Sequence, residues 1–243
     1  MLMLFRRREV ILPTLWGWMF LLGLVAAFVI LVARQLGGWL AVSQPVAGAR
    51  GGTANLIVIE GWLGERELDA AAAYVRERGY PRVLTSGGPI LSFSPFDSFA
   101  ERAAHRLREK LPEVRVDAVP TPATRQDRSY ASAVWVRDWA QQRSLPVDAI
   151  DVYSLGAHAR RTRMIYRQAF GDASRIGIIA GTPVDTDIVH WWRTSEAAKQ
   201  VLAESLSLVW TQCCFWPAPR GSHEERWAVP AAASPPVTPS ARL

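Results

Sequence analysis

The rhythm of apolar and polar positions changes twice along the chain. Residues 10–33 (VILPTLWGWMFLLGLVAAFVILVA) carry no charge and are apolar on every side. At 1.5 Å per residue they form a helix of roughly 36 Å, enough to cross a ~30 Å hydrocarbon layer with some tilt. Between residues 54 and 216 short apolar runs alternate with helical stripes. The runs at 55–60 (NLIVIE), 82–86 (RVLTS), 114–119 (VRVDAV), 149–154 (AIDVYS) and 175–180 (RIGIIA) read as strands covered on both faces. The stretches between them read as helices. Leu68, Ala71, Ala72 and Val75 stripe 65–78, and a second helix covers 97–110. Tyr130, Ala133, Val134 and Trp139 mark 128–143, while Met164, Ile165 and Tyr166 mark 158–169. The last helix, 194–210, shows Ala198, Val201, Leu202, Leu206 and Val209 as its apolar face.

Five strand–helix units in series predict a three-layer, Rossmann-like α/β domain with a mostly parallel sheet of about five strands, preceded by one transmembrane helix. The chain then divides into a basic cytoplasmic end (1–9), the span (10–33), a Gly/Ala/Pro-rich linker (34–53), the α/β domain (54–216) and a Pro-rich disordered tail (217–243). Arg6, Arg7 and Arg8 precede the span, and Arg34 and Arg50 follow it. The positive-inside rule therefore keeps the amino end in the cytoplasm and exports the main domain, across an inner (cytoplasmic) membrane. A cleaved signal peptide ending near Ala41-Val42-Ser43 is the alternative, but the apolar stretch exceeds the ~7–15 residues of a signal core.

Composition narrows the class. At 49% hydrophobic and 21% charged, the chain is neither disordered throughout nor fibrous. The net charge of +6 invites a nucleic-acid partner, yet half of it lies ahead of residue 50 (Arg6, Arg7, Arg8 and Arg34 against Glu9). The folded part shows one local basic cluster, Arg160, Arg161, Arg163 and Arg167, rather than the concentrated basic face such a partner requires, so none is expected.

Ligands of doubly wound sheets bind beyond the carboxyl ends of the strands, which brings the loops after residues 60, 86, 119, 154 and 180 to one crevice. Glu60 and Gly61 end the first strand, offering a general base or hydroxyl acceptor beside a close backbone approach. Ser86, Gly87 and Gly88 follow the second, where backbone N–H groups and a hydroxyl suit an anion. This is neither a P-loop nor a dinucleotide fingerprint. Arg128 and Ser129 open the helix after the third strand, with Asp127 as its expected N-cap. Ser154 ends the fourth, and His158 and Arg161 share a helical face behind it. His158 is then the proton donor or acceptor, with Glu60, and Arg161 neutralises the ligand. Asp185 and Asp187 lack diagnostic metal spacing, no metal set is assigned, and no motif names a cofactor. Cys213 and Cys214 adjoin Trp210, Phe215 and Trp216, aromatic residues suited to a membrane surface.

The segments LIVIEGW, LTSGGP, DRSYASA and SLGAHARR, in this order and spacing behind an apolar amino-terminal segment, resemble the ElyC/SanA/YdcF family (the DUF218-type domain) over about residues 54–210. The matching pieces are Glu60-Gly61, Ser86-Gly87-Gly88, and Ser154 with His158 and Arg161. Two features depart from that pattern: Glu60-Gly61-Trp62 replaces a glycine-only turn, and Arg128-Ser129-Tyr130-Ala131-Ser132 stands where the family has Asn-Thr-x-Glu-Asn. The resemblance implies a membrane-anchored, exported Rossmann-like domain serving bacterial envelope maintenance. Together these readings set two expectations: a protein that acts on, or tightly binds, a phosphate-bearing envelope precursor, or a non-catalytic binding or scaffold module of the envelope.

Overall fold

The structure, a computed structural model, describes residues 12–46, 55–124 and 127–226. It opens with helix α1 (Leu15–Leu40), whose N-cap Thr14 accepts the Gly17 N–H through its hydroxyl. α1 is long and apolar enough to cross a membrane, and its hydrophobic side chains from Leu15 to Val32 are exposed. Five units follow: β1 (Ile57–Glu60), α2 (Glu65–Arg78), β2 (Arg82–Gly87), α3 (Phe99–Lys110), β3 (Arg115–Pro120), α4 (Arg128–Gln142), β4 (Ala149–Leu155), α5 (Ala159–Phe170), β5 (Arg175–Gly181) and α6 (Ser195–Cys213). The predicted α/β class is the observed one, and the strand and helix limits agree within a few residues.

All strand pairs are parallel, in the order β3-β2-β1-β4-β5. Alternation along the strands divides the core. Ile57, Ile59, Val83 and Tyr153 face α2 and α3, while Val58, Leu84, Val152 and Ile178 face α4 and α5. Chain order reverses between β1 and β4, which pair as Ile57↔Asp151 and Ile59↔Tyr153. One step further on, Glu60 and Ser154 stand side by side at this switch point, where the sheet opens a crevice.

Three boundaries differ from expectation. The apolar helix does not stop near residue 33. It continues through the first part of the predicted linker to Leu40, because Gly37 lets it close on the loop after β5. A Cβ on Gly37 would lie 2.0 Å from the Ile188 carbonyl oxygen. The Trp191 indole N–H binds the Ala33 carbonyl at 2.9 Å, and Leu40 is fully buried with Ala157, Val201 and Leu208. Gln44 then bridges Ile178 antiparallel, covering the outer edge of β5; positions 47–54 lie outside the described residues. The predicted disordered tail begins instead as a strap, residues 217–226, held by Glu225, which is buried against Arg137 (2.7 Å) and Tyr130 (2.8 Å); the rest of the tail lies outside the described residues. Asp127 precedes α4 but does not cap it, since its backbone (φ 38°, ψ 52°) is left-handed rather than extended and its side chain makes no cap hydrogen bond.

The apolar face of α6 also differs. Ala197, Val201, Leu208 and Thr211 face inward, whereas Leu202, Leu206, Val209 and Trp210 are exposed. The helix is apolar on two sides, so periodicity alone does not choose between them.

Candidate functional site

Four ionisable side chains converge beyond β1 and β4. Glu60, at the end of β1, is buried and accepts hydrogen bonds from the Ser154 hydroxyl (2.5 Å) and the Thr162 hydroxyl (3.2 Å). His158 lies on a 3₁₀ turn between β4 and α5, reached through Gly156 at φ 47°, a left-handed backbone that favours glycine. Its Nε2 is 3.6 Å from Glu60, and its Nδ1 is 2.9 Å from Glu204 on α6. Arg161 Nε donates to the other Glu204 oxygen at 2.8 Å. Trp62 stands edge-on to the His158 ring at 5.4 Å. The chain thus runs Ser154–Glu60–His158–Glu204–Arg161.

Charges in this chain support one another. Burial pushes the His158 imidazole down, but the carboxylates of Glu60 and Glu204 outweigh it and raise the group to about 9. Burial raises the Glu60 carboxyl; the attraction of His158 and hydrogen bonds from His158, Ser154 and Thr162 hold it below the ordinary carboxylate value. Glu204 is likewise raised by burial, yet hydrogen bonds from His158 and Arg161 bring it down to about 2. At neutral pH two cations face two carboxylates, and the network is self-neutralised.

The glycines after β1 and β2 bring chain segments together. Gly61 donates its N–H to the Ser86 carbonyl at 2.7 Å, and a Cβ there would meet the Phe99 oxygen at 2.5 Å. A Cβ on Gly87 would lie 2.8 Å from Phe99 Cβ, and the Gly88 carbonyl accepts the Phe99 N–H. These turns seat the start of α3 against the sheet edge. Ser86 is buried, its hydroxyl 3.4 Å from the Tyr166 hydroxyl.

Arg128, Ser129 and Arg161 instead share a cavity of about 430 Å³ between the start of α4 and the outer half of α6. Its polar side also carries Asp127, raised by burial against the opposing pull of Arg161. Its apolar side is formed by Ile165, Leu206, Trp210 and Phe215. Across α6 a second cavity, of about 480 Å³, presents Glu67, Asp185 and Glu196 against Lys199. The two sides of α6 therefore have opposite electrostatic character. Among the described residues, no group of three or more His, Cys, Asp or Glu side chains is placed to hold a metal ion.

Of the residues expected at the site, Glu60, Ser154, His158 and Arg161 meet in one network, and Arg161 joins it to Arg128 and Ser129. Ser86 approaches through Tyr166, while Gly61, Gly87 and Gly88 serve the β1 and β2 turns. Sequence reasoning missed Glu204, Thr162 and Tyr166. Glu204 had a signal: it interrupts the buried row Ala197, Val201, Leu208 and Thr211, where a carboxylate needs a cationic partner. No protein-family model and no curated protein matches the chain.

Proposed function

We propose that this is a single-span envelope protein whose exported domain binds a phosphate-bearing precursor held in the membrane. The supporting observation is that the Arg128–Arg161 cavity and the end of α1 lie on the same edge of the sheet. Ala33, Gly37, Trp39 and Leu40 all dock on loops or helix starts after β4 and β5, at Trp191, Ile188, Arg160 and Ala157. Residues 43 and 44 then run back along β5, with Ser43 accepting the Ala180 N–H. The chain thus enters the domain at the carboxyl edge of the sheet, which supports a membrane-proximal position for that edge. Two guanidinium groups and a hydroxyl beside exposed Leu206 and Trp210 suit an anionic headgroup with its hydrocarbon on the lipid side. The resemblance to the ElyC/SanA/YdcF family points to the same envelope setting, with the basic amino end in the cytoplasm.

Binding without turnover is favoured by one observation: Glu60 and His158 are enclosed beneath Trp62 and α6 and already satisfy each other. In this reading His158 and Glu204 are positioning residues that hold Arg161. The test uses the full chain in nanodiscs of phosphatidylcholine with and without dioleoyl phosphatidate as the phosphate-bearing probe. Phosphatidate stabilises the wild type against thermal unfolding, and Arg128→Gln weakens that response about tenfold, the scale of one charge-assisted hydrogen bond. Equal responses in both proteins, or full rescue of an envelope defect by both Arg128→Gln and Arg161→Ala, would end the proposal.

A further inference from the structure

The outer face of α5 carries a third cavity, of about 430 Å³, away from the α4–α6 site. It is lined by Arg160, Arg163 and Arg167 of α5 and by Arg220 of the carboxyl strap, with Asp172 as the lone carboxylate. The three α5 arginines are spaced i, i+3 and i+7, which places them on one face along about 10 Å of helix.

Elsewhere four buried or half-buried arginines pair with carboxylates, Arg82 with Asp117, Arg106 with Asp69, Arg137 with Glu225 and Arg161 with Glu204, while half-buried Arg102 binds the Gly61 and Leu63 carbonyls. Among the described residues, the four arginines of this groove have no carboxylate within ion-pair distance. Arg163 is held by the Ile176 carbonyl and Gln44, and Arg160 by the Trp39 carbonyl, all neutral acceptors that fix the guanidinium groups without cancelling their charge. Burial and then mutual repulsion lower the proton affinity of Arg160 and Arg163. Arg220 reaches the groove over Gly171, where a Cβ would lie 1.3 Å from its Nη1; the absent side chain makes the room. A separate sign comes from Gln168, which lines the same cavity and whose Oε1 is buried with no partner among the described residues. Turned over, that amide presents two N–H donors to a bound oxyanion.

Like charges gathered around one concavity raise the energy of the empty protein, and a multivalent anion relieves that repulsion. We propose that this groove is a binding site for a phosphate-bearing anion with two or more negative charges, distinct from the cavity at the carboxyl edge. Its upper end adjoins Trp39 of α1, where Arg160 lies 3.9 Å from the ring centroid, so lipid headgroups and free phosphate compounds both have access to it.

The experiment uses the full chain in nanodiscs, pyrophosphate as the soluble probe and cardiolipin, whose headgroup carries two phosphates, as the lipid probe. In phosphatidylcholine discs, pyrophosphate raises the unfolding temperature of the wild type, an effect that shrinks as sodium chloride rises. Arg167→Gln/Arg220→Gln weakens the apparent affinity at least tenfold; among the described residues neither side chain has a hydrogen bond to lose. Without ligand, the same variant unfolds no earlier than the wild type, because removing two crowded charges relieves repulsion. A response to cardiolipin alone that the double variant loses identifies the headgroup as the source and supports the site. No wild-type response to either probe overturns the proposal, as does a double variant that responds like the wild type. Arg128→Gln separates the two sites: a response that vanishes there and survives Arg167→Gln/Arg220→Gln belongs to the carboxyl-edge cavity and also overturns it.

Discussion

A buried imidazole between two carboxylates makes a quantitative claim about pH. His158 rises from an ordinary 6.5 to about 9, and at about 1.36 kcal/mol per pH unit the coupling is worth on the order of 3 kcal/mol. Because the folded value lies above the unfolded one, this stabilisation is fully present below pH 6.5 and is lost as pH climbs through about 9. Glu204 works at the opposite end. Its folded value of about 2 lies below the ordinary 4.5, so its contribution is present above 4.5 and lost as pH falls through about 2. The two share one interaction, and their energies do not add. The network therefore contributes most between pH ~4.5 and ~6.5. Histidine side-chain NMR of the full chain in nanodiscs should show His158 still protonated at pH 8. Thermal unfolding should show stability declining from pH 6.5 to 9.5. Glu204→Gln removes one of the two carboxylates, lowers the His158 midpoint by at least one pH unit and flattens that decline. Deprotonation of wild-type His158 at or below 6.5 would refute the electrostatic reading of the site.

Other changes probe the contacts that hold the site in place. Gly37→Leu drives a side chain into the Ile188 carbonyl and, at the ~1–3 kcal/mol of an overpacked contact, releases the end of α1 from the domain. Hydrogen exchange at 188–191 should accelerate while the protein stays in the membrane; unchanged exchange would mean the contact does not hold the loop. Glu225→Ala leaves buried Arg137 with Asp138 and the Ala169 carbonyl as its remaining partners. The loss should be roughly 3 kcal/mol, the lower end for breaking a buried pair, and lower the unfolding temperature by several degrees. Glu225→Gln keeps hydrogen-bonding groups at that position and should recover part of the difference. A melting curve for Glu225→Ala that overlays the wild type would show that the strap is not anchored there.

Strand and helix positions were legible because each depends on local pattern. β-Branched runs such as those of β1 and β5 have few alternatives, and the stripe Leu68, Ala71, Ala72 and Val75 repeats at a helical period. The meeting of Glu60, Ser154, His158 and Arg161 was also legible, since the carboxyl ends of a doubly wound sheet collect the loops whatever the strand order. Other features depended on partners remote in sequence. The extension of α1 to Leu40 rests on Gly37 and Trp191, 154 positions apart. The strap rests on Glu225 finding Arg137, 88 residues away. The glycines after β1 and β2 read equally well as an anion cradle or as sites of close chain approach, and only the position of Phe99 distinguishes the two.

The exposed row on α6 follows from what lies on either side of it. Its inner face must meet the crevice, because Glu204 is needed by His158 and Arg161, and that fixes the rotation of the helix. At 100° per residue, Leu202, Leu206 and Val209 then fall opposite Glu204 and cannot be buried in the domain. Such a row in a protein wholly surrounded by water would be an unpaired apolar surface. Here the end of α1 is joined to α6 through Leu40, Val201 and Leu208, so the outer face of α6 belongs to the edge that α1 enters. If the bilayer lies at that edge, as proposed above, the residues that open the Arg128–Arg161 cavity, Leu206 and Trp210, are also those that would meet lipid. Under that proposal, the same rotation that places Glu204 under the roof turns the apolar lip of the cavity toward the membrane.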